Sequence, residues 1–198
     1  MTFRVFVFSV VSLLLFCSLA LAADERERAL TTIKQLGGTF EMDAQLPGQP
    51  VVKIDLHGTG VSDADLRMLR AFPELRQLDV RLTKIGDAGI SYIKPFTKLR
   101  LLNVFRTQMS DAGLKQLSRL TQLETLLMGG TKISDQGLVV LKNFRRLRKV
   151  SVFDTQISDA GLTHFKGLPS LEVLLIGKSK ITEDKAKAVL PKVRLTEP

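Results

Sequence analysis

Tryptophan is missing from the 198-residue chain, tyrosine and cysteine occur once each, and histidine occurs twice. These shortages exclude whole classes of chemistry. Two histidines, His57 and His164, leave little room for a nucleophile–base–acid triad, and the serines fall mainly at expected helix starts, where capping accounts for them. The lone cysteine, Cys17, can close no disulfide within the chain, so stability has to come from packing. Aromatic surface comes almost wholly from eleven phenylalanines, few of them interleaved with basic residues as in a nucleic-acid stacking platform. No cofactor motif is present: Gly177-Lys178-Ser179 resembles the end of a phosphate loop, but Glu172 stands where that loop needs glycine. The chain therefore reads as non-enzymatic, with nucleic acid disfavoured as a partner. With 44% hydrophobic and 25% charged residues, its composition is that of an ordinary globular protein.

Residues 1–22 read as a separate object. Arg4 precedes an apolar run from Val5 to Leu21, and Ala20-Leu21-Ala22 has the small-x-small pattern of a signal peptidase site, followed by Asp24 and Glu25. Cleavage would make the remainder secreted or periplasmic. An uncleaved segment, close to the ~20 residues that span a bilayer, would anchor it to a membrane. Bulky Leu14-Leu15-Phe16 ahead of Cys17 disfavours a lipoprotein. The net charge is +9, and Arg4 is the only charged residue among 1–22, so +8 remains without them. The basicity belongs to the folded part.

What the chain has in abundance is repetition. Aligned at Val51, Leu75, Leu99, Leu123, Leu147 and Leu171, it repeats every 24 residues. Position 4 of the units reads Ile54, Leu78, Leu102, Leu126, Val150, Leu174, and position 6 reads Leu56, Val80, Val104, Met128, Val152, Ile176. Position 9 is Thr59, Thr83, Thr107, Thr131, Thr155, Ser179, and position 13 is aspartate five times before Glu183. The alternation around positions 4 and 6 predicts a short strand with those side chains inward. The hydroxyls at position 9 are placed to satisfy backbone groups where the chain turns back through the interior. Ser-Asp at positions 12 and 13 predicts a helix start, and apolar residues at 16, 19 and 22 a helix packing on the strands. No unit can bury its own apolar face, so the units must stack.

The runs Ile157-Ser158-Asp159-Ala160-Gly161-Leu162, Met109 to Leu114 and Ile133 to Leu138 resemble the leucine-rich-repeat family. They look most like its I-[ST]-D-x-G-L subclass, known from F-box-like proteins and short exported bacterial proteins. The resemblance covers Val51 to Leu195, with threonine where the subclass usually has cysteine or asparagine at the inner turn. The residues ahead of the repeats do not resemble an F-box, and no ubiquitin-ligase role is carried over. The family implies an α/β solenoid, a short arc with a parallel sheet on the concave side and helices on the convex side. Three segments are expected: a signal peptide over 1–22, an N-terminal cap over 23–50 with a helix from Asp24 to Leu36 and a strand near Thr39 to Asp43, and six repeats with a C-terminal cap over 51–198.

Within such an arc, positions 3, 5 and 7 form the concave floor. Its N-terminal third is polar: Asp55, His57 and Asp79 could gather a divalent cation, or be balanced by Lys53 and Arg81 in a polar face. The remainder carries Leu101, Phe105, Leu127, Phe153, Val173 and Leu175, opposite the core and without a packing role, with Arg81 and Arg106 alongside. Phe105 and Phe153, two strands apart, should lie roughly 10 Å from each other. These eight residues are the expected protein- or peptide-binding site. A floor of six strands projects an area on the order of 300 Å², against ~800 Å² per partner in a standard interface, so the contact should be weak or peptide-sized. The alternative rests on charge. Arg70, Lys94, Arg119, Lys142, Arg145, Arg146 and Lys166 on or beside the convex helices, with Lys178, Lys180, Lys185, Lys187, Lys192 and Arg194 of the C-terminal segment, could adhere to an anionic envelope polymer or membrane surface.

Overall fold

The structure, a computed structural model, describes residues 21–196. Residues 1–20, which hold most of the expected signal peptide, lie outside them. Among the described residues no helix is long and apolar enough to cross a membrane.

Eight strands form one sheet in sequence order: β1 (Thr39–Met42), β2 (Val51–Asp55), β3 (Gln77–Asp79), β4 (Leu101–Asn103), β5 (Thr125–Leu127), β6 (Lys149–Ser151), β7 (Val173–Leu175) and β8 (Arg194–Thr196). β1 is antiparallel to β2, and every later pair is parallel. From β2 to β7 the register steps by 24 residues, as in Ile54↔Leu78 and Leu78↔Leu102. The repeat length read from the sequence is thus the sheet register. Positions 4 and 6 of the units are buried throughout, as the alternation requires.

The convex side departs from simple helices. α2 (Asp87–Ile93), α3 (Asp111–Gln116), α4 (Leu162–Lys166) and α5 (Glu183–Val189) are short α-helices, but Asp65–Ala71 and Gly137–Asn143 are 3-10 helices, and shorter 3-10 turns adjoin α3 and α4. The reason is in the sequence. Positions 16, 19 and 22 recur every three residues, a period that suits the three-residue turn of a 3-10 helix as well as an α-helix. Leu66, Leu69 and Phe72, and likewise Leu138, Leu141 and Phe144, are all buried.

Each strand is short because two devices turn the chain immediately after it. The residue at position 8 is left-handed in every unit: Gly58, Leu82, Arg106, Gly130, Asp154 and Lys178 have φ between 53° and 66°. The hydroxyl at position 9 then donates back to the carbonyl of position 6, from Thr83 to Val80 at 2.6 Å, Thr107 to Val104 at 2.8 Å and Thr155 to Val152 at 2.6 Å. These threonines are buried, so the expected hydroxyl column is structural.

Position 13 works differently from a local helix cap. Its carboxylate reaches into the following unit and accepts from that unit's position 12. Asp87 takes the Ser110 amide at 2.8 Å and the Ser110 hydroxyl at 2.5 Å, and Asp111 and Asp135 do the same with Ser134 and Ser158. The serine in turn caps its own helix, accepting from Ala112 in α3. Glycine at position 15 makes room for the incoming carboxylate. A Cβ on Gly89, Gly113, Gly137 or Gly161 would collide with the aspartate of the preceding unit. Serine, aspartate and glycine are therefore one inter-unit lock rather than three local preferences.

The ends close differently. Residues 21–35 are helical (α1) and bury Ala29 and Ile33 against the first unit. Gly37, at φ 83°, turns the chain into β1. At the other end α5 stops at Val189, before Pro191, and the chain returns as β8, a strand that the sequence pattern does not reveal. β8 pairs Leu195 with Leu174, only 21 residues on, because the last unit is cut short.

Candidate functional site

Positions 3, 5 and 7 do face the concave side, but they divide into two regions. In the N-terminal units the polar residues at position 5 serve the backbone. Asp55, Asp79 and Asn103 each accept from the amide two residues on, at 2.9, 3.0 and 3.1 Å. Asn103 also donates to Asp79 at 3.0 Å, and the Arg81 guanidinium lies 3.4 Å from the same carboxylate. His57 Nδ1 sits 2.8 Å from Asp55. Burial pushes the Asp55 carboxyl up, but the His57 amide and ring and the Arg81 charge outweigh it and hold it below the usual carboxylate range. Lys53 is drawn off by Glu41 on β1, at 2.6 Å. The Asp55, His57 and Asp79 grouping is thus committed to strand-end hydrogen bonds. Among the described residues no three acidic, histidine or cysteine side chains converge as a cation site requires.

The apolar region is built around an absence. Position 7 of the fourth unit is Gly129, where a Cβ would stand 3.0 Å from the Phe105 ring and 2.7 Å from the Phe153 carbonyl oxygen. With no side chain there, the two rings lean together to a centroid distance of 6.1 Å, tilted by 32°. The roughly 10 Å expected from strand spacing alone is corrected accordingly. Phe105 and Phe153 are half-buried, each partly covering the other, and so are Leu101, Leu127, Val173 and Leu175.

Of the eight expected residues, Arg81, Phe105, Leu127, Phe153 and Leu175 line one concavity of about 360 Å³. That is near the lower end for ligand sites, enough for one or two side chains of a peptide. Leu101 and Val173, at position 3, share the face but stand outside the concavity. Arg106 is on its rim, with its guanidinium 5.2 Å from the centre of the Phe105 ring, and Lys178 lies likewise 5.6 Å from that of Phe153.

Four residues beyond the eight expected also line the concavity, Leu82, Asn103, Lys149 and Ser151, and Lys178 joins Arg106 at the rim. Leu82 and Lys178 occupy position 8, whose left-handed backbone turns them toward the rim. Glycine at Gly58 and Gly130 was the only signal of that conformation.

A model of the leucine-rich-repeat family matches residues 74–94, essentially the second unit. No curated protein matches the chain. Among solved structures, an internalin from Listeria monocytogenes is 21% identical, with a TM-score of 0.54 over 74% of this chain and 50% of that one. A leucine-rich-repeat protein of Leptospira interrogans is 14% identical, with a TM-score of 0.48 over 67% of this chain and 39% of that one. A pollen receptor kinase is 14% identical, with a TM-score of 0.49 over 78% of this chain and 75% of its own. The chain thus spans half the length of the internalin. With parallel strands stepping by one repeat and short helices behind them, this protein is a leucine-rich-repeat solenoid in fold.

Proposed function

We propose that the protein is an exported, non-enzymatic binding scaffold that takes a protein segment or peptide on the concave face, in the concavity beside the Phe105–Phe153 pair. The observation that carries this reading is the pair of half-buried rings over Gly129, on a face where no core lies behind them. The paired rings form one wall of the concavity, and concavities lined by aromatic side chains are where binding energy concentrates. We read the units as the I-[ST]-D-x-G-L subclass, whose serine, aspartate and glycine the inter-unit lock requires together.

The test begins with affinity capture of the protein's partner from envelope extract in low and high salt, followed by titration of variants. Phe105→Ala and Phe153→Ala are each expected to weaken the recovered partner by about 1–3 kcal/mol. Lys142→Glu and Arg145→Glu, on the convex side, should change little. If the convex reversals abolish binding while the phenylalanine variants bind normally, an anionic polymer on the convex surface becomes the better reading. Steep weakening by salt would accompany that outcome.

Export rests on Arg4, the apolar run and Ala20-Leu21-Ala22. Intact mass of the native protein is expected to place its N-terminus at Ala23 or Asp24. Full-length protein in the membrane fraction would instead mean an anchor.

A further inference from the structure

The two long edges of the sheet differ in charge, and the difference bears on what occupies the concavity. On the edge where the chain enters the strands, charges are paired from one unit to the next: Glu74 with Lys98, Arg100 with Glu124 and Arg148 with Glu172. Arg76 reaches Asp43 there as well. That edge is close to neutral.

On the edge where the chain leaves the strands, cations have no such partners. Among the described residues Arg106 and Lys178 make no ion pair there, and only Arg81 meets a carboxylate, Asp79; Lys149, which lines the concavity from the opposite, entry end of β6, is unpaired as well. Arg106 and Lys178 instead lie against the two phenylalanine rings, which leaves their charges available to solvent. The carboxylate on this row is Asp154, exposed at position 8. The concavity thus has an apolar bottom of Phe105, Phe153, Leu127 and Leu175 and a rim of positive charge.

Leu82 adds a second and independent observation. It is 50% exposed and held at φ 59°. Every unit needs a left-handed residue at this position, and glycine, aspartate, arginine or lysine fills it elsewhere. An exposed aliphatic side chain in that conformation adds nothing to the fold, and such outliers collect at binding sites. Leu82 lines the same concavity as the rings.

We infer that the occupant is an extended acidic peptide segment that inserts an apolar side chain between the rings and Leu82 and sets its carboxylates on Arg106, Lys149 and Lys178. This rests on the concave reading above and adds the partner's chemistry. A polysaccharide fits less well, because the bottom offers few free hydrogen-bonding groups: Asn103 is buried and already donates to Asp79. A flat membrane surface cannot follow a concave floor.

The experiment is selection from a random dodecapeptide display library on the purified protein, with polygalacturonate as competitor. Enriched sequences are expected to be acidic, with an aliphatic or aromatic residue among the acids. Arg106→Glu combined with Lys178→Glu should weaken a selected peptide by about tenfold or more, and Phe105→Ala by a similar factor. Leu82→Gly should weaken it less, with no fall in melting temperature, since glycine already serves at Gly58 and Gly130. Neutral or basic winners that are lost with Phe105→Ala would overturn the acidic assignment and leave the concave site standing. Winners indifferent to Phe105→Ala, or no enrichment at all, would sink both. Polygalacturonate binding that needs Arg106 and Lys178 but not Phe105 would give the cationic row to a polysaccharide instead.

Discussion

Gly113→Ala is expected to destabilise the protein by about 2–3 kcal/mol, as overpacking at a tight site does. Helix propensity alone predicts the opposite sign, since alanine is favoured over glycine inside α3 by about 1 kcal/mol. The reversal comes from Asp87 of the preceding unit, whose Oδ1 occupies the space a Cβ would need while it holds the Ser110 amide at 2.8 Å. Asp87→Ala should itself cost about 1–3 kcal/mol by leaving that part-buried amide and the Ser110 hydroxyl without their acceptor. The double variant is the decisive one. Removing the carboxylate makes room for the new methyl, leaving only the flexible Met109 side chain to adjust. Its cost should therefore fall short of the sum by about 1 kcal/mol. Denaturant melts of the four proteins measure this, and strict additivity would mean that glycine is there for some other reason.

Phe144→Ala should cost about 3–5 kcal/mol, the range for deleting a buried ring, whereas Phe153→Ala should cost only about 1 kcal/mol, from loss of the partner ring. The two phenylalanines are nine residues apart. Phe144, at position 22, is fully buried behind the sheet, where adjacent units present the smaller Leu120 and Leu168. Phe153 stands on the opposite face and touches Phe105 across Gly129. Urea midpoints at constant m-value separate the two. Equal costs would mean that the strand faces are inverted, and with them the whole candidate site.

How much of this was legible follows from what kind of contact each feature makes. The fold was readable because its signals recur at a fixed spacing: inward residues such as Leu102 and Val104, the hydroxyl column through Thr107, and the core positions of Leu114, Leu117 and Leu120. Features that join one unit to the next were only half readable. Ser110, Asp87 and Gly113 each looked like a local helix-start preference, and their three-way contact spans two units. β8 was hidden because it breaks the 24-residue period. Strand alternation was enough to place the candidate residues on one face, and five of the eight line one concavity there. It did not give the distance between Phe105 and Phe153, because that depends on a missing side chain at Gly129 rather than on one present. Leu82, and the place of Lys178 on the rim, were not legible because four of the six left-handed positions are not glycine.

The aspartate contacts all point one way along the stack. Asp63 serves the second unit, Asp87 the third, and so on to Asp159, which serves Thr182. Each block of 24 residues thus carries a plug on one side and a matching socket on the other, and any two inner blocks are interchangeable at the joint. A tandem copy of residues 99–122 placed after residue 122 would meet the original plug to socket, without a new surface to invent. It would add one strand, about 4.8 Å of floor, and the same cationic and aromatic positions again. A gain or loss of any other length would leave a plug facing the wrong residue. Growth by whole copies is therefore open to this architecture, and drift by small insertions within the stack is closed.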